Sequence, residues 1–253
     1  MAAQIITLSN QKGGSAKTTT AHALGTGLIA RGYKVLFIDL DSQWNLSYAA
    51  GADSKGRSSL DVLTGSATAA EAIQHTKTGD IIPASPYLSG ADSMLTEIGK
   101  EYRLKEGIES IRDDYDFIVI DTAPSLSVVT VNALTASNKL IIPSGADIFS
   151  LHGIRGLYST IDSIRKYCNP SLRIDGILLT KHNPRARIRR DLADYANQIA
   201  AALGTKVYRT VIRNCISIEE AQTRQESIFD YAPRSNAAAD YNAFISEFLE
   251  ERN

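Results

Sequence analysis

Apolar positions along the chain follow two alternating patterns. Short runs rich in β-branched residues, near Ile5–Ser9, Lys34–Asp39, Asp80–Pro83, Phe117–Asp121, Lys139–Pro143, Ile174–Thr180 and Lys206–Thr210, read as strands. Between them lie longer stretches with helical spacing, clearest over Thr18–Ala30, Ser125–Ser137, His152–Tyr167, Ile188–Leu203 and Ala237–Glu251. In the last of these, Tyr241, Phe244, Ile245, Phe248 and Leu249 share one face, which is expected to dock on the body of the protein. Strands alternating with helices predict an α/β fold: a mostly parallel, twisted sheet flanked by helices on both faces. No repeat, low-complexity tract or Pro/Gly/Ser-rich linker divides the chain, so a single domain over residues 1–253 is expected, with Gly51–Arg57 as a flexible surface loop.

Composition narrows the class. A chain of 253 residues can bury a large core without disulfides or a structural metal. Its 43% hydrophobic and 22% charged residues exclude a disordered, collagenous or coiled-coil protein. Cys168 and Cys215 stand 47 positions apart with no metal-binding spacing, and are expected as reduced core thiols of a cytoplasmic protein. His22, His75, His152 and His182 are scattered, which argues against a metal enzyme. Neither a signal peptide nor a membrane-spanning run is evident. The net charge of 27 − 28 = −1 conceals an asymmetry. Residues 181–213 carry eight basic against two acidic side chains, a balance of +6, whereas residues 219–253 carry eight acids against three arginines, a balance of −5.

The candidate chemistry follows the first strand. Asn10-Gln11-Lys12-Gly13-Gly14-Ser15-Ala16-Lys17-Thr18-Thr19 places a glycine-rich turn, a lysine and a hydroxyl between a strand and a helix. That is the context of a phosphate cradle, with backbone N–H groups around the anion, a lysine on the phosphates and a hydroxyl on Mg²⁺. Gln11 and Ala16 stand where the common GxxxxGK[ST] pattern has glycine. With a helical Ala16 activity would survive; with a left-handed one the site would be impaired, because its Cβ disfavours positive φ. Two further strands end in acids: Val35–Asp39, continuing into Leu40-Asp41-Ser42-Gln43, and Phe117–Asp121, continuing into Thr122-Ala123-Pro124-Ser125. The carboxyl edge of a parallel sheet is where α/β ligand sites form.

With its extra lysine before the two glycines, the loop Lys12-Gly13-Gly14-x-x-Lys17-Thr18 resembles the deviant Walker A loop of the ParA/MinD ATPases. Asp39-x-Asp41-x-Gln43 and Asp121-Thr122-Ala123-Pro124-Ser125 resemble that family's second and third motifs. The resemblance continues through Asn132-Ala133-Leu134, Ile177–Thr180, Ile212-Arg213-Asn214 with Glu220-Ala221, and Tyr231–Ser235, and is greatest to the Soj-type ParA partition ATPases. Departures are Ala16 for glycine, Ser42 for proline and Trp44 for a small residue.

The resemblance implies an ATPase using ATP and Mg²⁺, slow and stimulated by a partner. Lys12, Gly13, Gly14, Ser15, Ala16, Lys17, Thr18, Thr19 and Asn214 would contact the nucleotide. Thr18 would ligate the metal, Asp39 and Asp121 would act through its water shell, and Asp41 would orient the attacking water. Lys12 would reach across a sandwich homodimer to the partner subunit's nucleotide. The resemblance also implies non-specific double-stranded DNA as a partner, a ParB-like centromere-binding protein, and a cytoplasmic, nucleoid-associated location. Arg185, Arg187, Arg190 and Arg213 are the candidate DNA contacts. The alternative is a MinD-like membrane-associated regulator; the acidic end Glu247–Asn253 lacks the basic amphipathic tail that this would use.

Overall fold

The structure, a computed structural model, describes residues 2–145, 147–181 and 189–250. In chain order the elements are β1 (Gln4–Leu8), α1 (Lys17–Ile29), β2 (Val35–Leu40), α2 (Asn45–Ala50), α3 (Ser59–Thr64), α4 (Ala69–Ala72), β3 (Gln74–Thr76), β4 (Gly79–Ile82), α5 (Ala91–Met94) and α6 (Arg103–Gly107). They continue with β5 (Phe117–Thr122), α7 (Val128–Ala136), β6 (Lys139–Gly145), α8 (Ile148–Tyr167), β7 (Arg173–Thr180), α9 (Arg189–Ala202), α10 (Ile216–Thr223), α11 (Ile228–Tyr231) and α12 (Asn236–Glu250).

The strands form one sheet in the order β3-β4-β2-β5-β1-β6-β7. All pairings are parallel except the short β3–β4 hairpin at one edge. From β1 the chain runs first to β2 on one side of the sheet and later crosses to β6 on the other, so the strand order reverses beside β1. A crevice opens at such a reversal.

Alternation along the central strands feeds two cores, because successive side chains point to opposite faces. Ile6, Leu8, Phe37, Phe117 and Val119 pack with α1 and α12, whereas Ile5, Leu36, Ile38, Ile118 and Ile120 pack with α7 and the short helices of the 59–111 region. A third cluster joins β6 and β7 to α8 and α9. Gly25 lets α1 approach β2, since a Cβ there would stand 2.1 Å from the Phe37 ring. The apolar face of α12 docks as its spacing predicts: Tyr241, Phe244, Ile245 and Phe248 are all buried against the α1 side.

Two expectations are corrected. Lys206–Thr210 is not a full strand; it makes one parallel bridge, Ile177 to Val207. The Glu247 carboxylate of α12 accepts the backbone N–H groups of Arg209 (2.7 Å) and Thr210 (2.9 Å), which diverts them from the ladder. Second, Cys168 and Cys215 are free, as expected, but only half-buried, packed against the core rather than within it. β3 and the short helices between residues 45 and 111 lack a periodicity strong enough to predict them. Gly51–Arg57 is irregular and largely exposed, as a surface loop should be.

Candidate functional site

The loop after β1 is tied down at both ends by side chains. Asn10, fully buried, donates from Nδ2 to the Pro143 carbonyl at the end of β6 (2.8 Å) and accepts the Lys12 N–H (3.0 Å). From the end of β7, the Thr180 hydroxyl donates to the Ser15 carbonyl at 3.2 Å. The loop therefore bridges the carboxyl ends of three strands. Its last residue, Ala16, caps α1 with φ 65° and ψ 30°, so the left-handed alternative is the observed one. No side chain caps the helix and no acid occupies its first turn. The first-turn N–H groups of α1 are thus left to an anion.

Lys17 is buried and Lys12 exposed. The Lys17 ammonium donates to the Lys12 carbonyl at 3.4 Å and lies near Asp121 and Asp41. Burial lowers its pKa, and the two carboxylates partly restore it.

The acids differ sharply. Asp39 and Asp121 are opposite one another in the β2–β5 register and fully buried. Asp39 has both oxygens engaged: Oδ2 accepts from the Ser47 N–H (2.8 Å) and hydroxyl (2.7 Å), and Oδ1 from the Asp41 N–H (3.0 Å). Burial pushes its pKa up to about 6 against those bonds. It thereby fastens the start of α2 and the 41–44 turn. Asp121 meets no donor beyond the neighbouring Thr18 side chain, and burial first, then the charge of Asp39, raises its pKa well above the carboxylate range. A fully buried carboxyl with acceptor capacity to spare beside a threonine hydroxyl fits a site for a hydrated cation. Asp41 borders the cleft, its Oδ1 accepting the Gln43 N–H at 3.0 Å.

These groups surround a cleft of about 410 Å³ whose walls include Gly13 to Thr19, Asp41, Lys181 and Asn214. The arrangement is a P-loop nucleotide-binding site: an anion cradle at one end, acids for a metal beside it, and the Ile212–Cys215 segment as the far wall.

Most of the expected nucleotide residues come together here, and of the candidate DNA contacts Arg213 is also placed at the cleft. Arg213 lines the cleft, but its guanidinium is clasped by Asp240 through Nε (2.8 Å) and Nη2 (2.6 Å), and its N–H also donates to that carboxylate (2.9 Å). This withdraws it from the set of free DNA contacts. Arg190 is placed on α9, and Arg185 and Arg187 lie outside the described residues. Asn132 is a buried brace: its Oδ1 accepts the Leu104 N–H (2.9 Å) and its Nδ2 donates to the Lys100 carbonyl (2.8 Å). Asn10, Ser47, Thr180 and Asp240 were not anticipated. Only Asn10, adjoining the loop, carries a local signal.

Comparison with known proteins agrees with this geometry. The AAA domain family (AAA_31) matches residues 3–174. The chromosome partitioning protein ParA of Caulobacter vibrioides is 37% identical over 253 residues, covering 97% of this chain and 94% of the relative. The sporulation initiation inhibitor Soj of Bacillus subtilis is 35% identical over 243 residues, covering 94% and 95% respectively. Among solved structures, cobyrinic acid a,c-diamide synthase from Mycobacterium smegmatis with bound ADP and magnesium superposes with a TM-score of 0.86 at 30% identity, covering 99% of this chain and 95% of that one. The chain belongs to the ParA/MinD group of P-loop NTPases within the AAA domain family.

Proposed function

We propose that this protein is a ParA-type partition ATPase that uses ATP and Mg²⁺. The observation that carries the reading is the conjunction of a cleft walled by Gly13 to Thr19, with Lys17 buried in it, and the buried Asp121 carboxyl close to the Lys17 ammonium, while Lys12 stands exposed on the same loop. Lys17 and the amides of Gly13 to Thr19 hold the phosphates, Asn214 meets the base end, and Asp41 orients the attacking water. Thr18 and Asp121 are the residues that would hold Mg²⁺, with Asp39 behind them fixing the 41–44 turn. The metal supplies charge neutralisation at the phosphates.

Lys12 has an exposed position suited to a neighbouring subunit's nucleotide, and a cation delivered in trans couples hydrolysis to dimer formation. The dimer then presents basic residues of the 185–190 region to duplex DNA without regard to sequence, and a ParB-like partner stimulates an otherwise slow hydrolysis. Arg213 is left out of that surface because Asp240 neutralises it. Among the described residues no helix is long and apolar enough to cross a membrane, and the apolar face of α12 packs on the core.

The test is sedimentation with ATP, ADP or no nucleotide, together with gel shifts on unrelated duplexes at several salt concentrations. ATP should produce a dimer whose DNA affinity is indifferent to sequence and falls steeply with salt, by about 0.9 in log–log slope per neutralised phosphate. Dimerisation without any DNA binding at low salt would exclude the partition role.

A further inference from the structure

Lys181 belongs by sequence to the basic stretch 181–213, yet the fold sets it elsewhere. It follows directly on β7 and lines the nucleotide cleft. Its φ is 53°, a left-handed conformation that a residue with a Cβ disfavours. Such conformations persist where the surroundings over-determine them, and they cluster at ligand clamps. What determines this one is visible next door: the Thr180 hydroxyl is bonded to the Ser15 carbonyl, so the end of β7 is fastened to the cradle. The Lys181 Nζ lies 3.8 Å from where a Cβ on Gly14 would stand, which puts the ammonium over the tip of the loop. It is exposed and makes no ion pair among the described residues. Arg213, the other basic residue in the cleft wall outside the loop, is occupied by Asp240.

We propose that Lys181 is a phosphate-binding residue of this site, acting on the di- or triphosphate held by its own subunit's loop. The inference rests on the nucleotide-site reading above. An ammonium carries three donors and no acceptor, so it requires an anion or carbonyl, and the group the cradle is built to receive is a polyphosphate. Lys181 thus closes over the phosphates from the β7 side, opposite Asp41, and adds charge where the loop has lost a glycine at Ala16.

The test is the affinity of the full chain for ATP, ADP and AMP with Mg²⁺, measured by displacement of a fluorescent ADP analogue, for the parent, Lys181→Met and Lys181→Arg. Lys181→Met should weaken ATP and ADP about tenfold, equivalent to about 1.4 kcal/mol, and change AMP by less than about twofold. Lys181→Arg should recover most of the loss, and melting without nucleotide should be the same for all three. Unchanged ATP and ADP affinity in Lys181→Met overturns the proposal. So does an equal loss for all three nucleotides, which would place the side chain on the nucleoside or α-phosphate that they share. A parent that binds neither ATP nor ADP would instead overturn the nucleotide site itself.

Discussion

Around the cleft, Lys12 and Lys181 are exposed cations, and Lys17 is a buried one that reaches only a carbonyl within hydrogen-bond distance. On the segment that follows β7 the picture reverses. Arg213 is gripped by Asp240, and Arg209 pairs with Glu250 at 2.8 Å and Glu247 at 3.5 Å. All three acids come from α12. The +6 and −5 stretches of the sequence therefore fold partly against each other, and charge counted along the chain overstates the charge available to a ligand. Lys12 and Lys181, on the loop and at the cleft wall, pair with no acid among the described residues. The difference separates positive charge reserved for an anion from positive charge used to fasten a helix.

The largest expected effect tests the reserved set. Lys12→Ala should abolish the ATP-dependent dimer and lower turnover about a thousandfold or more, the scale on which a cation supplied in trans acts at phosphoryl transfer. Asp41→Ala should keep nucleotide and dimer while losing turnover. Arg209→Ala should leave both within about twofold of the parent. Sedimentation with ATP and phosphate release decide the matter. A Lys12→Ala protein that dimerises normally would erase the distinction drawn here.

The fastening set is tested by stability. Glu247 is buried, which pushes its pKa up, but the two backbone N–H groups and the Thr210 hydroxyl it accepts from, with the Arg209 charge, outweigh burial and hold the pKa below the ordinary value. Glu247→Ala leaves those donors unmatched and should cost about 2 kcal/mol, whereas Arg209→Ala, removing only exposed pairs, should cost less than about 0.5 kcal/mol. Because the folded pKa is depressed, the stabilisation from Glu247 is complete above its unfolded value near 4.5 and is lost as pH falls through the folded one. Denaturation of parent and Glu247→Ala should therefore converge in acid. A gap that stays constant down to pH 3 would assign the effect to packing instead.

The fold was legible because its central strands are continuous apolar runs and its long helices are periodic. The carboxyl-edge loops were legible because a nucleotide cradle needs glycines, a lysine and acids within a few residues of strand ends. What escaped has a common physical origin. Glu247 ends a strand nearly 40 positions earlier, Asp240 neutralises Arg213, and Thr180 pins Ser15 from 165 residues away. Such long-range side-chain bonds leave no local pattern. Strand β3 leaves no signal for another reason, since Gln74-His75-Thr76 has no apolar alternation. Ala16 and Trp44 were both noted as departures, but only the backbone shows that each sits at positive φ, 65° and 60°.

The smallest expected effect concerns that strain. A left-handed alanine costs about 1–2 kcal/mol relative to its preferred conformations, and glycine returns part of the gain as unfolded-state entropy, about 0.4–1 kcal/mol. Ala16→Gly should then stabilise the nucleotide-free protein by about 1 kcal/mol, a rise of roughly 2–4 °C in melting temperature for a chain of this size. If the left-handed Ala16 conformation is present before nucleotide binds, the strain is already there, and ATP affinity should change by less than about threefold. The lysines of the cleft would then lie over a preformed, strained cradle. The opposite pattern, an unchanged melting temperature with tenfold tighter ATP binding, would show that the free alanine loop avoids the left-handed state and is forced into it by nucleotide. Melting curves and titrations on the two proteins separate these outcomes, and only the first keeps the cations of the cleft in place before the anion arrives.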